Sequence, residues 1–138
     1  MSTKSTGGRQ RASSGSPFEA TIGFSRGLRD GEVIAIAGTA PVWPDGSVDP
    51  DPLVQARRAW AIALTALSQL GGRPQDVVRT RTYLTTTEVA EVAAEAHSEI
   101  FARCRTTAGL LQTARKEAAT LENALEELRS AEDSSYPE

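Results

Sequence analysis

The chain has 138 residues, with 15 Lys and Arg against 18 Asp and Glu, a net charge of -3 and 39% hydrophobic residues. One domain is the default at this length, and the acidic balance argues against a nucleic-acid surface. The single cysteine, Cys104, rules out an internal disulfide framework and a cysteine-based zinc site, and no apolar run approaches the ~20 residues that a membrane helix needs.

The start of the chain lacks the apolar stretch of a secretory signal, so a cytoplasmic setting is expected. Residues 1–15 carry no large apolar side chain beyond Met1. Such a segment buries too little surface to offset its ordering entropy, and a disordered tail is expected. A basic arm built on Lys4, Arg9 and Arg11 is the functional alternative, with only three charges to support it.

Phe18 to Leu28 suits one or two extended segments joined at Gly23. Asp30-Gly31 is a hairpin turn signal, and Val33 to Ala37 then reads as a strand. Its apolar residues are continuous, which implies burial on both faces. Phe24-Ser25-Arg26 and this run are expected to pair in one hairpin. The Pro-framed segment Pro41 to Gly46 is a loop, and its Trp43 either lids a pocket or packs.

Asp51-Pro52 is a good helix start, a capping carboxylate followed by a residue shaped for the first turn. Leu53, Ala56, Trp60, Ala63, Leu64, Leu67 and Leu70 recur at helical spacing up to Gly71-Gly72. Asp76 to Leu84 alternates as a strand, with Arg79, Arg81 and Tyr83 on one face. Thr85 and Glu88 have the spacing of a capping box for a second helix that runs to about Phe101. Beyond it, Leu111, Ala114, Ala118, Leu121, Leu125 and Leu128 form a heptad stripe, and no later segment reads as a strand.

Six motifs occur in order: SGSPFE, GFSR, VIAIAGTAP, VWPDG, DVVRTRTYLT and AHSEIF. Together, from about Ser14 to Phe101, they resemble the RidA (Rid/YjgF) family. The resemblance implies an α+β fold of the chorismate-mutase-like type, a sheet with two packed helices. It also implies a homotrimer with clefts between subunits, and a small-molecule carboxylate or imine as ligand. Members hydrolyse reactive imines and enamines to keto acids and ammonia with no metal and no cofactor. Neither nucleic acid nor membrane is an expected partner. The domain boundaries that follow are residues 1–15 as tail, 16–101 as the Rid-like domain, and 102–138 as a divergent helical segment.

After Phe101 the sequence departs from the family pattern. The Pro-Ala-Arg motif and the Val-Glu-Ile-Glu strand of deaminating members are absent. No catalytic residue is therefore assigned. The heptad helix covers the sheet, pairs with its copy in another chain, or is the product of a frame change in the gene. By resemblance Phe24, Ser25 and Arg26 line the cleft, with Phe24 where the family has Tyr. If hydrolysis persists, Arg79 or Arg81 would hold the substrate carboxylate, since an Arg fork binds carboxylate bidentately. Thr39 or a nearby carbonyl would orient water. The bland reading of Arg79 and Arg81 is a solvated or ion-paired surface. His97 and Cys104 have bland readings too, a structural histidine and an inert loop thiol. The functional expectation is a protein that binds or hydrolyses small 2-imino acid metabolites. The alternative is a non-catalytic small-molecule-binding or oligomeric interaction protein.

Overall fold

A computed structural model describes residues 3–6, 8–104 and 107–108 of the chain. Its centre is the hairpin expected around Asp30-Gly31. Strands β3 (Gly27–Asp30) and β4 (Val33–Ile36) pair antiparallel, with Leu28 opposite Ala35. Gly31 turns the corner at a φ of 59°, a region that side chains with a Cβ rarely enter. The ladder runs one step further, where the Ala37 amide donates to the Arg26 carbonyl at 2.9 Å.

The expected disordered tail is corrected by two strands. β1 (Thr3–Thr6) pairs with β2 (Arg9–Ala12), and β2 pairs with β3, giving the antiparallel order β1-β2-β3-β4. Composition misses this because it weighs side chains only. Here order comes from ladder hydrogen bonds and from one small residue, Ala12, seated in the core at 1% exposure.

The extended reading of Phe18 to Leu28 is corrected in its first part, which belongs to helix α1 (Pro17–Ile22). Ser16 caps it, Pro17 occupies its first turn, and Glu19 returns to the cap backbone. That is a complete capping box. Gly23, at φ 85°, ends the helix in the left-handed region.

Helix α2 (Pro52–Gln69) forms as expected, with the Asp51 carboxylate accepting from the amides of Leu53 and Val54. Its Ala66, and Leu70 just after its end, pack on Ala12, Ile34 and Ile36. Strand alternation sends Arg11, Leu28, Val33 and Ala35 to the opposite face. The expectation that Val33 to Ala37 is buried on both faces is thus corrected: Val33 is 67% exposed and Ala35 is also exposed. Arg29 reaches under the sheet to donate from Nη1 to the Leu70 carbonyl at 2.8 Å, closing the C-terminal end of α2.

Past Gly72 the expected strand over Asp76 to Leu84 shortens to β5 (Arg79–Thr80), preceded by a 3-10 turn at Pro74–Asp76. β5 pairs in parallel with β6 (Thr107–Ala108), which corrects the reading that no strand follows the second helix. A two-residue partner supports only a two-residue ladder, whatever the alternation around it. The next cap is Thr86 rather than Thr85, accepting from the Glu88 amide, and a 3-10 turn at Thr87–Val89 leads into α3 (Ala90–Phe101). α3 packs on α2 through Trp60, His97 and Phe101, whose ring centroids lie 4.6–5.7 Å apart. The His97 ring is hydrogen-bonded to the Thr80 hydroxyl at 2.9 Å, and burial lowers its pKa below the usual 6.5. The heptad stripe from Leu111 to Leu128 lies outside the described residues.

Gly27 marks a close approach between the sheet and the end of α2. A Cβ there would stand 2.7 Å from Leu70 Cδ1 and 3.0 Å from Ile36 Cδ1. Gly27→Val should lower the unfolding free energy by about 1–3 kcal/mol in urea denaturation. Gly38→Ala, which opens onto free space, should stay within about 0.5 kcal/mol of the parent. Equal stability of the two variants would contradict the packing described.

Candidate functional site

The site starts from one carboxylate. Glu19, 7% exposed, points back from α1 into the turn that precedes it. Its oxygens accept from the Ser14 hydroxyl at 2.8 Å and from the amides of Ser16 and Arg26 at 3.0 Å each. The Ser14 amide donates at 3.1 Å and the Ser13 hydroxyl at 3.4 Å. Burial pushes the Glu19 carboxyl up. The bonds from the Ser14 hydroxyl and from the amides of Arg26, Ser16 and Ser14 outweigh it and hold the pKa below the usual 4.5. The group is therefore a fixed anion with its lone pairs occupied, suited to holding the loop rather than to moving protons.

Arg26 is the second fixed element, also 7% exposed. Its Nη1 donates to the Gly38 carbonyl at 2.7 Å and to the Thr39 hydroxyl at 3.2 Å, while Nε reaches the Ser14 hydroxyl at 3.4 Å. Its guanidinium carbon lies 5.2 Å from the centre of the Phe24 ring. Thr39 in turn donates to the Ala37 carbonyl at 2.8 Å. Phe24, Arg26 and Thr39 are thus brought together, with Arg26 as a strut between the β3 entry and the β4 exit.

Two adjoining hollows open beside this strut. The larger, 330 Å³, is lined by Arg11, Gly23, Ser25, Leu28, Ala35 and Ala37, mostly from the open face of the sheet, and also by Ile36. The smaller, 270 Å³, runs behind it past Ser13, Glu19, Ala20 and Phe24. Arg11 and Ser25 border both. Arg79 and Arg81 border neither; they stand exposed in and just after β5, where Arg81 Nη1 donates to the Tyr83 hydroxyl at 3.2 Å. Trp43 lies elsewhere too, with the Arg58 guanidinium carbon 4.3 Å from its ring centre.

Sequence reasoning missed Ser13, Ser14 and Glu19, and placed Arg11 only in a basic arm. The capping-box spacing of Ser16 and Glu19 was the available signal, and it would have turned the polar lead-in into an ordered one. No spacing announces Arg11, whose place is set by pairing to β3. Among the described residues, no cluster of three or more His, Cys, Asp or Glu side chains is placed to hold a metal ion.

A four-stranded antiparallel sheet backed by helices on one face, with a ligand-sized hollow on the other, defines an α+β protein of YjgF type. The family model described as Endoribonuclease L-PSP matches residues 15–129, and the chain belongs to that family, the YjgF/RidA family. The match continues past Phe101, where the recognisable motifs end. Among curated proteins the chain is 32% identical over 103 residues to the uncharacterized protein SCO2049 of Streptomyces coelicolor, covering 74% of this chain and 77% of that one. Among solved structures it resembles Rv2704 of Mycobacterium tuberculosis, a member of the YjgF/YER057c/UK114 family. That likeness has 35% identity and a TM-score of 0.65, covering 72% of this chain and 80% of the other. Protein YjgH shares the fold at 23% identity and a TM-score of 0.61, over 75% and 85% of the two chains.

Because the folded-state pKa of Glu19 is lowered, its contribution to stability is fully present above pH 4.5. It is lost as pH falls through the folded value. Glu19→Gln should destabilise the chain by about 1–3 kcal/mol at pH 7, because donors lose a charged acceptor. It should also flatten the decline of stability with pH below 4.5, followed by urea midpoints at each pH. An unchanged decline would remove Glu19 from its place at the centre of the loop.

Proposed function

We propose that this chain handles small imine or enamine metabolites of the 2-imino acid class, taking them into the larger hollow on the open face of the sheet. The observation that carries this reading is where the hollow comes from. Its walls include two of the six motif segments that resemble the RidA family, GFSR and the VIAIAGTAP strand, through Gly23, Ser25, Ala35 and Ala37. A volume of 330 Å³ falls at the lower end of the range for small-ligand sites. Family membership supports the ligand class, and the net charge of -3 weighs against nucleic acid in its place.

The same reading includes assembly as a homotrimer in a cytoplasmic setting. Val33, at 67% exposure, and Ala35 offer an apolar strip that a second copy would cover. No helix among the described residues is long and apolar enough to cross a membrane.

Hydrolysis of a 2-imino acid requires water to attack the C=N carbon and protons to reach the departing nitrogen. The described ionisable groups beside the hollow favour a second reading, binding without turnover. Glu19 is saturated with donors, and Arg26 is held by Gly38 and Thr39.

Two measurements test the proposal. In one, 2-iminobutanoate is generated in place from threonine by a dehydratase, and its decay is followed with and without the chain. In the other, binding of the stable product 2-oxobutanoate is followed by calorimetry. Faster decay is the expected result for an enzyme. Binding with decay equal to buffer selects the second reading, and neither decay nor binding overturns the proposal.

A further inference from the structure

We propose that His97 is an acid-operated latch: its neutral ring holds the β5–β6 ladder against the α2–α3 layer, and protonation releases the ladder while the four-stranded sheet stays folded. The inference is independent of the ligand proposed above. β5 and β6 form a sheet of their own, with no ladder to β1–β4. Each contributes two residues, and so short a pair has little stability of its own. Among the described residues a single side-chain hydrogen bond ties this ladder to the helices. It joins the buried Thr80 hydroxyl of β5 to Nε2 of His97 on α3, at 2.9 Å.

The seat suits the neutral ring. His97 forms a triangle with Trp60 of α2, 5.7 Å away between ring centres, and Phe101, 4.6 Å away and 2% exposed. Withdrawal from water among these rings disfavours the charged form, and burial holds the His97 pKa below the usual 6.5. The charged groups of the packed elements do not offset this. Glu99 of α3 is ion-paired with Arg57 of α2, and Asp76, in the turn after α2, with Arg73. Glu91 and Glu95 on α3, and Glu88 before it, are exposed to water. Arg79 of β5 and Arg103 past α3 are exposed too, and carry the sign of the imidazolium. Arg58 of α2 lies over the Trp43 ring, and Cys104 is a half-buried thiol.

With the ladder released, the ring stands in water and titrates near 6.5; with the ladder seated, it titrates lower. The seated state is therefore at full strength above pH 6.5. It weakens as pH falls from there to the seated pKa, and below that value the loss is complete. The rest of the fold does not follow over the same range. His97 is the chain's one histidine. The core between sheet and α2 runs through Ala12, Ile34, Ile36, Ala66 and Leu70, none of which titrates. Glu19 keeps its charge, and so its hold on the loop before β3, until pH drops below 4.5. β6 is the last described strand, so release also frees the point from which the chain continues beyond Ala108.

The test is nuclear magnetic resonance of the full chain, taken from about pH 7.5 to about pH 5 to bracket a histidine. The ring signals of His97 should titrate with a midpoint below 6.5. Amide exchange in β5 and β6, corrected for its intrinsic pH dependence, should quicken across the titration. The expected gain is roughly tenfold for each pH unit by which the midpoint lies below the usual histidine value. The amides of β3 and β4 should stay protected throughout. His97→Phe keeps a ring in the triangle and removes the titrating group, so its ladder exchange should not respond to pH. Thr80→Val keeps the shape of the side chain and removes the hydroxyl, so its ladder should exchange faster than the parent's already at the upper end of the range. The latch is overturned by a midpoint at or above 6.5, by ladder exchange in the parent that ignores pH, or by an equal pH response in His97→Phe. Parent-like exchange in Thr80→Val, or loosening of β3 and β4 in step with the ladder, overturns it as well.

Discussion

The arrangement depends on a buried carboxylate. Glu19 gathers donors from Ser13, Ser14, Ser16 and the Arg26 amide, four positions that are otherwise a polar, glycine-interrupted lead-in with little apolar surface to bury. An ionised carboxylate out of water is costly unless its lone pairs are filled, and here the chain fills them with its own amides and hydroxyls. That condition fixes where α1 starts and where β3 begins. It also sets the Arg26 side chain, which is then within reach of Gly38 and Thr39 on the far side of the hairpin. Phe24 and Ser25 acquire their positions as a consequence, between two points that cannot move independently.

The sheet divides its work between two faces. One is closed by α2 through Ala12, Ile34, Ile36, Ala66 and Leu70, with Gly27 allowing the close approach. The other face carries Val33, Ala35, Leu28 and Arg11 and has no helix over it among the described residues. An apolar strip is costly to leave against water. Stability is thus concentrated on the closed face and recognition on the open one.

Much of this was legible in the sequence. Asp51-Pro52 announced α2, Gly71-Gly72 its end, and Asp30-Gly31 the hairpin. The motifs from SGSPFE to AHSEIF pointed to the family that the comparison found. What failed did so for identifiable reasons. Residues 9–12 were judged by their side chains, while their order comes from a ladder to residues about 18 positions away. Phe18 to Leu28 reads as extended segments joined at Gly23, although the Ser16 to Glu19 spacing specifies a helix start. The alternation over Asp76 to Leu84 was real, but a strand needs a partner as long as itself, and β6 supplies two residues. Among the site residues, Arg26 lies beside Phe24 and Thr39, and Ser25 borders both hollows. Arg11 could not be placed by pattern, because its position beside the hollow is set by pairing to β3, a property of the folded chain alone.

The claim on which the account stands is that the open face of the sheet, and not the exposed arginines of β5, receives the ligand. Amide chemical-shift mapping of the full chain during titration with 2-oxobutanoate tests it directly. The account expects the largest changes at Arg11, Ser25, Leu28, Ala35 and Ala37. Changes confined to Arg79, Thr80 and Arg81, or none anywhere, would contradict it.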